Sequence, residues 1–329
     1  LKVNTLEFMV KPQQAKLDVV GLKAYYFTRR GVVRAVDDLT FAINKSESLG
    51  IAGESACGKS TLGSSLLRAL QPPGKIVGGK ITLDGIDVSG LSDPDFDRTI
   101  RWKRIAMIFQ GAMNALDPVY KIGDQMNELM RQHHFVGNTN KIISESLEQV
   151  GLDQSVTRRY PHELSGGMKQ RVVIAMALLL KPEIVIADEP TTALDMLMQA
   201  QIINVLKRLK EENGMTIVLI THDLAIISEI ADKIGIMYAG HLIEFGKASE
   251  IFENPKHPYT QALISAIPTI HGNKKEVRFI RGNPPDLTQP LEGCRFYERC
   301  PHAMDVCRKD PPLINSDTGF TRCWLYDKR

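Results

Sequence analysis

The stretch Gly53-Glu54-Ser55-Ala56-Cys57-Gly58-Lys59-Ser60 constrains this chain more than any other. It fits G-x-x-x-x-G-K-[ST], a loop whose backbone N–H groups cradle phosphates. The apolar run ending in Leu49-Gly50-Ile51-Ala52 predicts a buried strand entering the loop, and Thr61 to Leu70 predicts a helix leaving it. Strand, loop and helix in that order are the setting the motif needs. The glycines permit a tight turn, so that successive amides aim at one anion, and the helix N-terminus adds partial positive charge. In that setting Lys59 reaches the β- and γ-phosphates, and the Ser60 hydroxyl ligates Mg²⁺. The alternative is a chance glycine-rich turn.

Further apolar runs end in polar side chains. Ile105 to Phe109 reads as a buried strand that delivers Gln110. Glu183 to Glu189 reads as a strand ending in two carboxylates, at the edge where α/β sheets bind ligands. Asp188 would hold Mg²⁺, and Glu189 would act as general base on the attacking water. An isolated acid pair would more often be a solvated strand end; the phosphate loop favours the functional reading. Met215 to Thr221 delivers His222, which can hydrogen-bond the γ-phosphate and the water. Ser165 stands at an N-cap with Gly166 and Gly167 behind it, and a helix starting there would aim N–H groups at an anion. A simple capped, buried helix is the plainer reading of Leu164 to Gly167. Ala193-Leu194-Asp195 opens a long helix reaching about Glu212.

Strand, motif and helix recur, which predicts an α/β sheet with its loops collected at one edge. Lys16 to Ile43 reads as two strands about the turn Thr28-Arg29-Arg30-Gly31. Tyr25, Tyr26 and Phe27 lie on the first, where alternate side chains face opposite ways, so an outward one could stack on a base. Ile122 to Val150 predicts two amphipathic helices split near Gly137-Asn138, with His133 and His134 solvated. Lys233 to Phe245 predicts a hairpin about Ala239-Gly240. The chain is 43% hydrophobic and 24% charged, enough for a sizeable core, and a net charge of +3 demands no nucleic-acid partner. No signal peptide or membrane span is predicted, which points to the cytoplasm. The chain begins at Leu1 rather than methionine, which leaves its true start open.

Together these motifs resemble the ATP-hydrolysing subunit of an ABC transporter. Walker A is Gly53 to Ser60, the Q-loop glutamine Gln110, and the signature Leu164 to Gln170. Walker B is Ile184 to Asp188 followed by Glu189, the D-loop Ala193 to Asp195, and the switch histidine His222. The resemblance implies a RecA-like P-loop core with an antiparallel β-subdomain and a helical subdomain at about 111–165. It implies that Tyr26, with Tyr25 as substitute, stacks on adenine, and that residues 53–61 bind ATP. Ser60, Gln110 and Asp188 would hold Mg²⁺. Catalysis would fall to Glu189, His222 and Gln110, and Ser165, Gly166, Gly167 and Asp195 would complete the nucleotide site. One departure is Ala56-Cys57, where close relatives usually have Gly-Ser. Backbone amides bind the phosphate, so activity is expected to survive, and a thiol in the loop could be oxidised if its thiolate were favoured.

A narrower resemblance is to the dipeptide and oligopeptide importers. It is carried by His257 to Leu263 with Pro268, by Gly282 to Leu287, and by Gly293-Cys294 to Pro301. It implies an ATPase domain at 1–268, a C-terminal extension at 269–329, and a peripheral place on the cytoplasmic face of the membrane. Its partners would be a second ABC ATPase chain, as a heterodimer or a homodimer, two permeases and, indirectly, a solute-binding protein. The group also contains importers of oligosaccharides and of nickel, so cargo does not follow. Rival readings are a soluble ABC ATPase, a regulatory subunit without turnover, and an exporter. Long coiled-coil insertions, fused cassettes and fused membrane spans are absent from the sequence, and Glu189 and His222 are intact.

Cys294, Cys300, Cys307 and Cys323 crowd the last stretch. Four such residues suggest one four-ligand site, although the uneven spacing lacks the C-x-x-C of a zinc ribbon. The resemblance implies a 4Fe-4S cluster, with zinc as the alternative and four free thiols as the plain reading.

Overall fold

The computed structural model describes residues 15–266, 280–289 and 291–327. The chain opens with β1 (Ala15–Thr28) and β2 (Gly31–Asn44), then β3 (Ser48–Ala52), α1 (Lys59–Leu66), β4 (Gly74–Leu83), β5 (Ile86–Asp87), α2 (Asp93–Thr99) and β6 (Ile105–Ile108). Three helices follow, α3 (Ile122–Gln132), α4 (Thr139–Gln149) and α5 (Gly166–Leu178), and lead to β7 (Ile184–Asp188). Next come α6 (Met196–Asn213), β8 (Thr216–Ile220), α7 (Leu224–Ile230), β9 (Lys233–Tyr238), β10 (His241–Lys247), α8 (Ala248–Glu253) and α9 (Pro258–Ser265). The extension adds β11 (Leu313–Asn315) and β12 (Phe320–Arg322).

Two sheets result. The smaller is antiparallel, in the order β2-β1-β4-β5; the larger runs β11-β12-β10-β9-β3-β8-β7-β6. Its middle, β9 to β6, is parallel, because each strand is followed by a helix or loop that returns over a face. Alternation decides which residue meets which layer. Ile184, Ile186, Val218 and Ile220 join Leu49 and Ile51 in a core shared with β1, β2 and α1. Val185, Ala187, Ile217 and Leu219 face the opposite way, into a core shared with α5, α6 and α7. Both faces are covered, and so these strands read as unbroken apolar runs. A charge cluster pins the lower end: buried Lys16 bonds Asp84 at 2.7 Å and also Glu183, and Arg104 bonds Glu183 at 2.8 Å.

The expected RecA-like core, antiparallel subdomain and hairpin are all present, with three differences of detail. The helix α1 ends at Leu66 instead of continuing to Leu70. Arg68 has a left-handed φ of 52° and is drawn away by Asp93 and the Phe96 ring. His133 is not fully solvated, because its ring tilts against Trp102 and burial lowers its pKa. The extension continues the main sheet at its edge, with Glu244 opposite Thr321 and Phe245 opposite Phe320. Pro268 and the boundary expected between 268 and 269 lie outside the described residues.

One buried and one half-buried histidine set an acid limit. His257 is 1% exposed and its Nδ1 accepts the Tyr259 N–H at 3.1 Å. Burial lowers its pKa from 6.5 to about 3. Burial likewise lowers His241 to about 4, outweighing the pull of Asp37. Below about pH 6.5 the unfolded chain takes up protons that the folded chain refuses. Their contribution is therefore full above that pH and is lost as pH falls toward the folded values. Thermal melts should show Tm falling steadily as pH drops below about 6.5, and His257→Asn should flatten that slope.

Candidate active site

The phosphate loop is shaped from outside. Gly58 has φ 105°, and a Cβ there would stand 1.9 Å from the Ala35 carbonyl oxygen of β2. A Cβ on Gly53, at φ 152°, would stand 2.2 Å from the Met237 carbonyl oxygen of β9. The tip of the β9–β10 hairpin seals the rear, where Gly240 N donates to Cys57 O and Asp37 N to Gly240 O, both at 2.9 Å. Glu54 N donates to the Tyr259 hydroxyl of α9 at 2.8 Å. Ala56 accepts a left-handed φ of 64°. The Cys57 thiol is 4% exposed, and burial raises its pKa against the pull of Lys59. The thiolate is therefore not favoured here, and a neutral, covered thiol is a poor nucleophile.

Lys59 opens α1 and is 6% exposed, its ammonium donating to Gly53 O at 2.7 Å and to Glu54 O at 3.0 Å. These carbonyls keep the cation inside the loop, where an anionic phosphate can take over their contacts. Asp188 ends β7 only 2% exposed, close to the Ser60 side chain. Burial raises its pKa, with Ser60 opposing and the neighbouring Glu189 charge adding to it. Its Oδ1 is buried without a hydrogen-bond partner. An orphaned carboxylate oxygen beside a serine hydroxyl is a donor set that suits Mg²⁺.

Glu189 is the meeting point of three loops. Its Oε1 lies 3.0 Å from His222 Nδ1; its Oε2 accepts from Thr192 Oγ1 at 2.9 Å and from Gln110 Nε2 at 3.1 Å. Burial pushes the Glu189 pKa up, yet His222, Thr192 and the Lys59 charge hold it below the usual value. The carboxylate is therefore ionised and able to accept a proton. Its backbone has a left-handed φ of 45°, fixed by Glu189 N donating to Ile220 O at 2.8 Å. Strain of this kind costs about 1–3 kcal/mol and gathers at functional sites.

The structure thus brings Lys59, Ser60, Asp188, Glu189, Gln110 and His222 to one sheet edge. Tyr26 is half-buried near this edge, its ring over Gly74 and its hydroxyl 3.4 Å from Thr61 Oγ1. Tyr25 is tied instead to Asp37 at 2.6 Å, and Phe27 is the most exposed of the three at 47%. Ser165 caps α5, accepting from Met168 N at 3.3 Å. Gly166 faces Leu194, and a Cβ on Gly167 would stand 1.5 Å from the Met198 methyl group. The signature therefore adjoins the D-loop of its own chain, whose Asp195 caps α6. Thr192 was missed by sequence reading, although it sits one turn beyond Glu189. Arg299, which grips the Glu54 carboxylate, was missed too; its only sequence signal is adjacency to Cys300.

The four tail cysteines carry no disulfide. The Cys294 thiol lies in the field of the other three, and Cys307 also acts on Cys300 and Cys323. Burial, followed by these neighbours, raises Cys294 to about 12 and Cys323 to about 11. Among the described residues no three His, Cys, Asp or Glu side chains stand close enough to share a single metal ion. Among the same residues no helix is long and apolar enough to cross a membrane.

A family model described as ABC transporter matches residues 36–192, and one described as the oligopeptide/dipeptide transporter C-terminal region matches 243–307. A dipeptide transport ATP-binding protein of Bacillus subtilis is 42% identical over 320 residues, covering 95% of each chain. An oligopeptide transport ATP-binding protein of Salmonella typhimurium is 42% identical over 317 residues, covering 95% of this chain and 94% of its own. A dimeric ATP-binding cassette solved in a post-hydrolysis state with ADP and Pi is 28% identical, with a TM-score of 0.62 over 70% of this chain and 98% of its own. An ABC transporter component of Clostridium perfringens is 26% identical, with a TM-score of 0.63 over 74% and 92%. Fold and site are those of a P-loop ATPase. The chain belongs to the ABC transporter ATP-binding proteins, in the branch that carries the oligopeptide/dipeptide C-terminal region.

Gly58→Ala should destabilise the chain by about 2 kcal/mol or more and abolish nucleotide binding, since backbone must move to admit the methyl. Denaturant melts and a nucleotide titration check both.

Proposed function

We propose that this chain binds and hydrolyses ATP to drive an importer of di- and oligopeptides from the cytoplasmic face of the membrane. The observation that carries the reading is Glu189, ionised, strained and held by His222, Gln110 and Thr192 beside Lys59 and Asp188. The peptide cargo is supported by the relatives' names and by the C-terminal family model. Import of oligosaccharides or nickel is the second reading.

Lys59 and the loop amides bind the phosphates, and Tyr26 stacks on the base. Ser60, Asp188 and Gln110 hold Mg²⁺, which neutralises charge on the β- and γ-phosphates. Glu189 accepts a proton from the attacking water, and His222 orients that water against the γ-phosphate. Ser165, Gly166, Gly167 and Asp195 close on the nucleotide of a facing ATPase subunit, which closes on this one in return. Support comes from the bare apolar side chains beside Asp195, with Met196 86% and Leu197 70% exposed. ATP then favours the closed pair because it touches both halves, and hydrolysis removes that preference.

The permeases dock on the helical part, about 111–165. There a cleft of about 740 Å³ is lined by Trp102, Tyr120, Asp124, Glu128 and Met176, and Val119, next to Tyr120 in the chain, is exposed. We place the ATPase domain at 1–268 and the extension from 269, although the C-terminal family model already begins at 243, within β10. Cys294, Cys300, Cys307 and Cys323 hold a 4Fe-4S cluster, which supplies a structural staple. The reading is supported by the unbridged thiols and by Cys294 lying in the field of the other three.

Glu189→Gln should still bind ATP, accumulate as an ATP-bound dimer and lose about 10²- to 10⁴-fold in phosphate release. Undiminished release would reject the general-base role. Lys59→Ala should instead weaken nucleotide binding. Purified chain should be brown with about four irons, whereas a colourless protein containing zinc would select the other metal.

A further inference from the structure

Between Cys294 and Cys300 the extension sends two arginines into the nucleotide side of the core. Arg295 pairs with Asp37 of β2 and donates to the Ala239 carbonyl at the hairpin tip. Arg299, immediately before Cys300, forks onto Glu54, with Nη1–Oε2 at 2.7 Å and Nη2–Oε1 at 2.9 Å. The Arg299 side chain is 6% exposed, and its Nε donates to Arg281 O at 2.9 Å. Its Nη1 also reaches the Tyr238 hydroxyl at 3.1 Å. A two-pronged arginine–carboxylate contact fixes orientation as well as distance, and cover from solvent spares it screening.

Glu54 is the second residue of the phosphate loop. Its carboxylate is held by Arg299, and its N–H by the Tyr259 hydroxyl. The Tyr259 and Tyr238 rings pack on Phe296 at centroid distances of 5.4 and 5.2 Å, and Phe296 lies between the two cysteines. Both grips on Glu54 therefore trace to the Cys294–Cys300 segment. We propose that Arg299 is a positioning residue for the phosphate loop, making nucleotide affinity depend on the assembly of the cysteine site. The link to assembly rests on the reading that the four cysteines hold one group. The coupling is reciprocal: nucleotide must stabilise the cysteine site by the factor by which the site tightens nucleotide.

The test is the Kd of a fluorescent ATP analogue for the full chain, for Glu54→Gln, Arg299→Gln and Cys300→Ser, and for Arg299→Gln with Cys300→Ser. Each single change should raise Kd about tenfold, and the double no further, because one route is cut twice. ATP should also slow the removal of bound metal by a chelator in the wild type and not in Arg299→Gln. A general packing defect would not produce that difference. An Arg299→Gln Kd within about twofold of wild type, or single effects that multiply in the double, overturns the proposal. Glu54→Gln keeps size and fold, so it tests the same contact from the other side if Arg299→Gln misfolds. Metal content separates the two claims. A metal-free wild type whose Kd still depends on Arg299 rejects the cluster and upholds the positioning role. A metal-bearing chain with unchanged Kd values does the reverse.

Discussion

A loop that presents unpaired amides to an anion cannot hold its own shape, because those amides are the groups that would otherwise hold it. Here the support is external. Ala35 and Met237 present carbonyls so close to Gly58 and Gly53 that no side chain fits, and the tip of the β9–β10 hairpin bonds the back of the loop at Cys57. Tyr259 and Arg299 secure Glu54 from the C-terminal side. The antiparallel sheet, the main sheet and the extension all meet at these eight residues, and their placement follows from that meeting.

The same economy governs the opposite wall. Glu189 has three hydrogen-bonding neighbours and a left-handed backbone, so its carboxylate direction is set before substrate arrives. Asp188, just before it in the chain, keeps an unpaired buried oxygen and lies under the influence of Ser60 and Lys59. The strand stops at Asp188 and the backbone turns left-handed at Glu189, so one strand end can serve a cation and a water at once.

Much of this was legible in the sequence. The strands β3, β7 and β8 are apolar on both faces, and each hands a motif to the same edge. Alternation in β1 and β2 and the helical period of α3 and α4 placed those elements within a few residues. The misses share a cause. The stop of α1 at Arg68 and the hold of Arg299 on Glu54 both come from residues distant in the chain. Local pattern carries no trace of such partners. Arg299 is 245 positions from Glu54, and nothing about either residue alone distinguishes it from a solvated charge.

The pairing of β12 with β10 has a consequence apart from chemistry. Without its last strands the sheet would end at β10, whose N–H and C=O row and the Phe245 ring would lie open at a free margin. Such margins recruit foreign strands. The tail thus works as a selvedge, keeping the fabric of the sheet from fraying into its neighbours, and a chain cut short before Phe320 would be prone to clumping even with every nucleotide-binding residue in place.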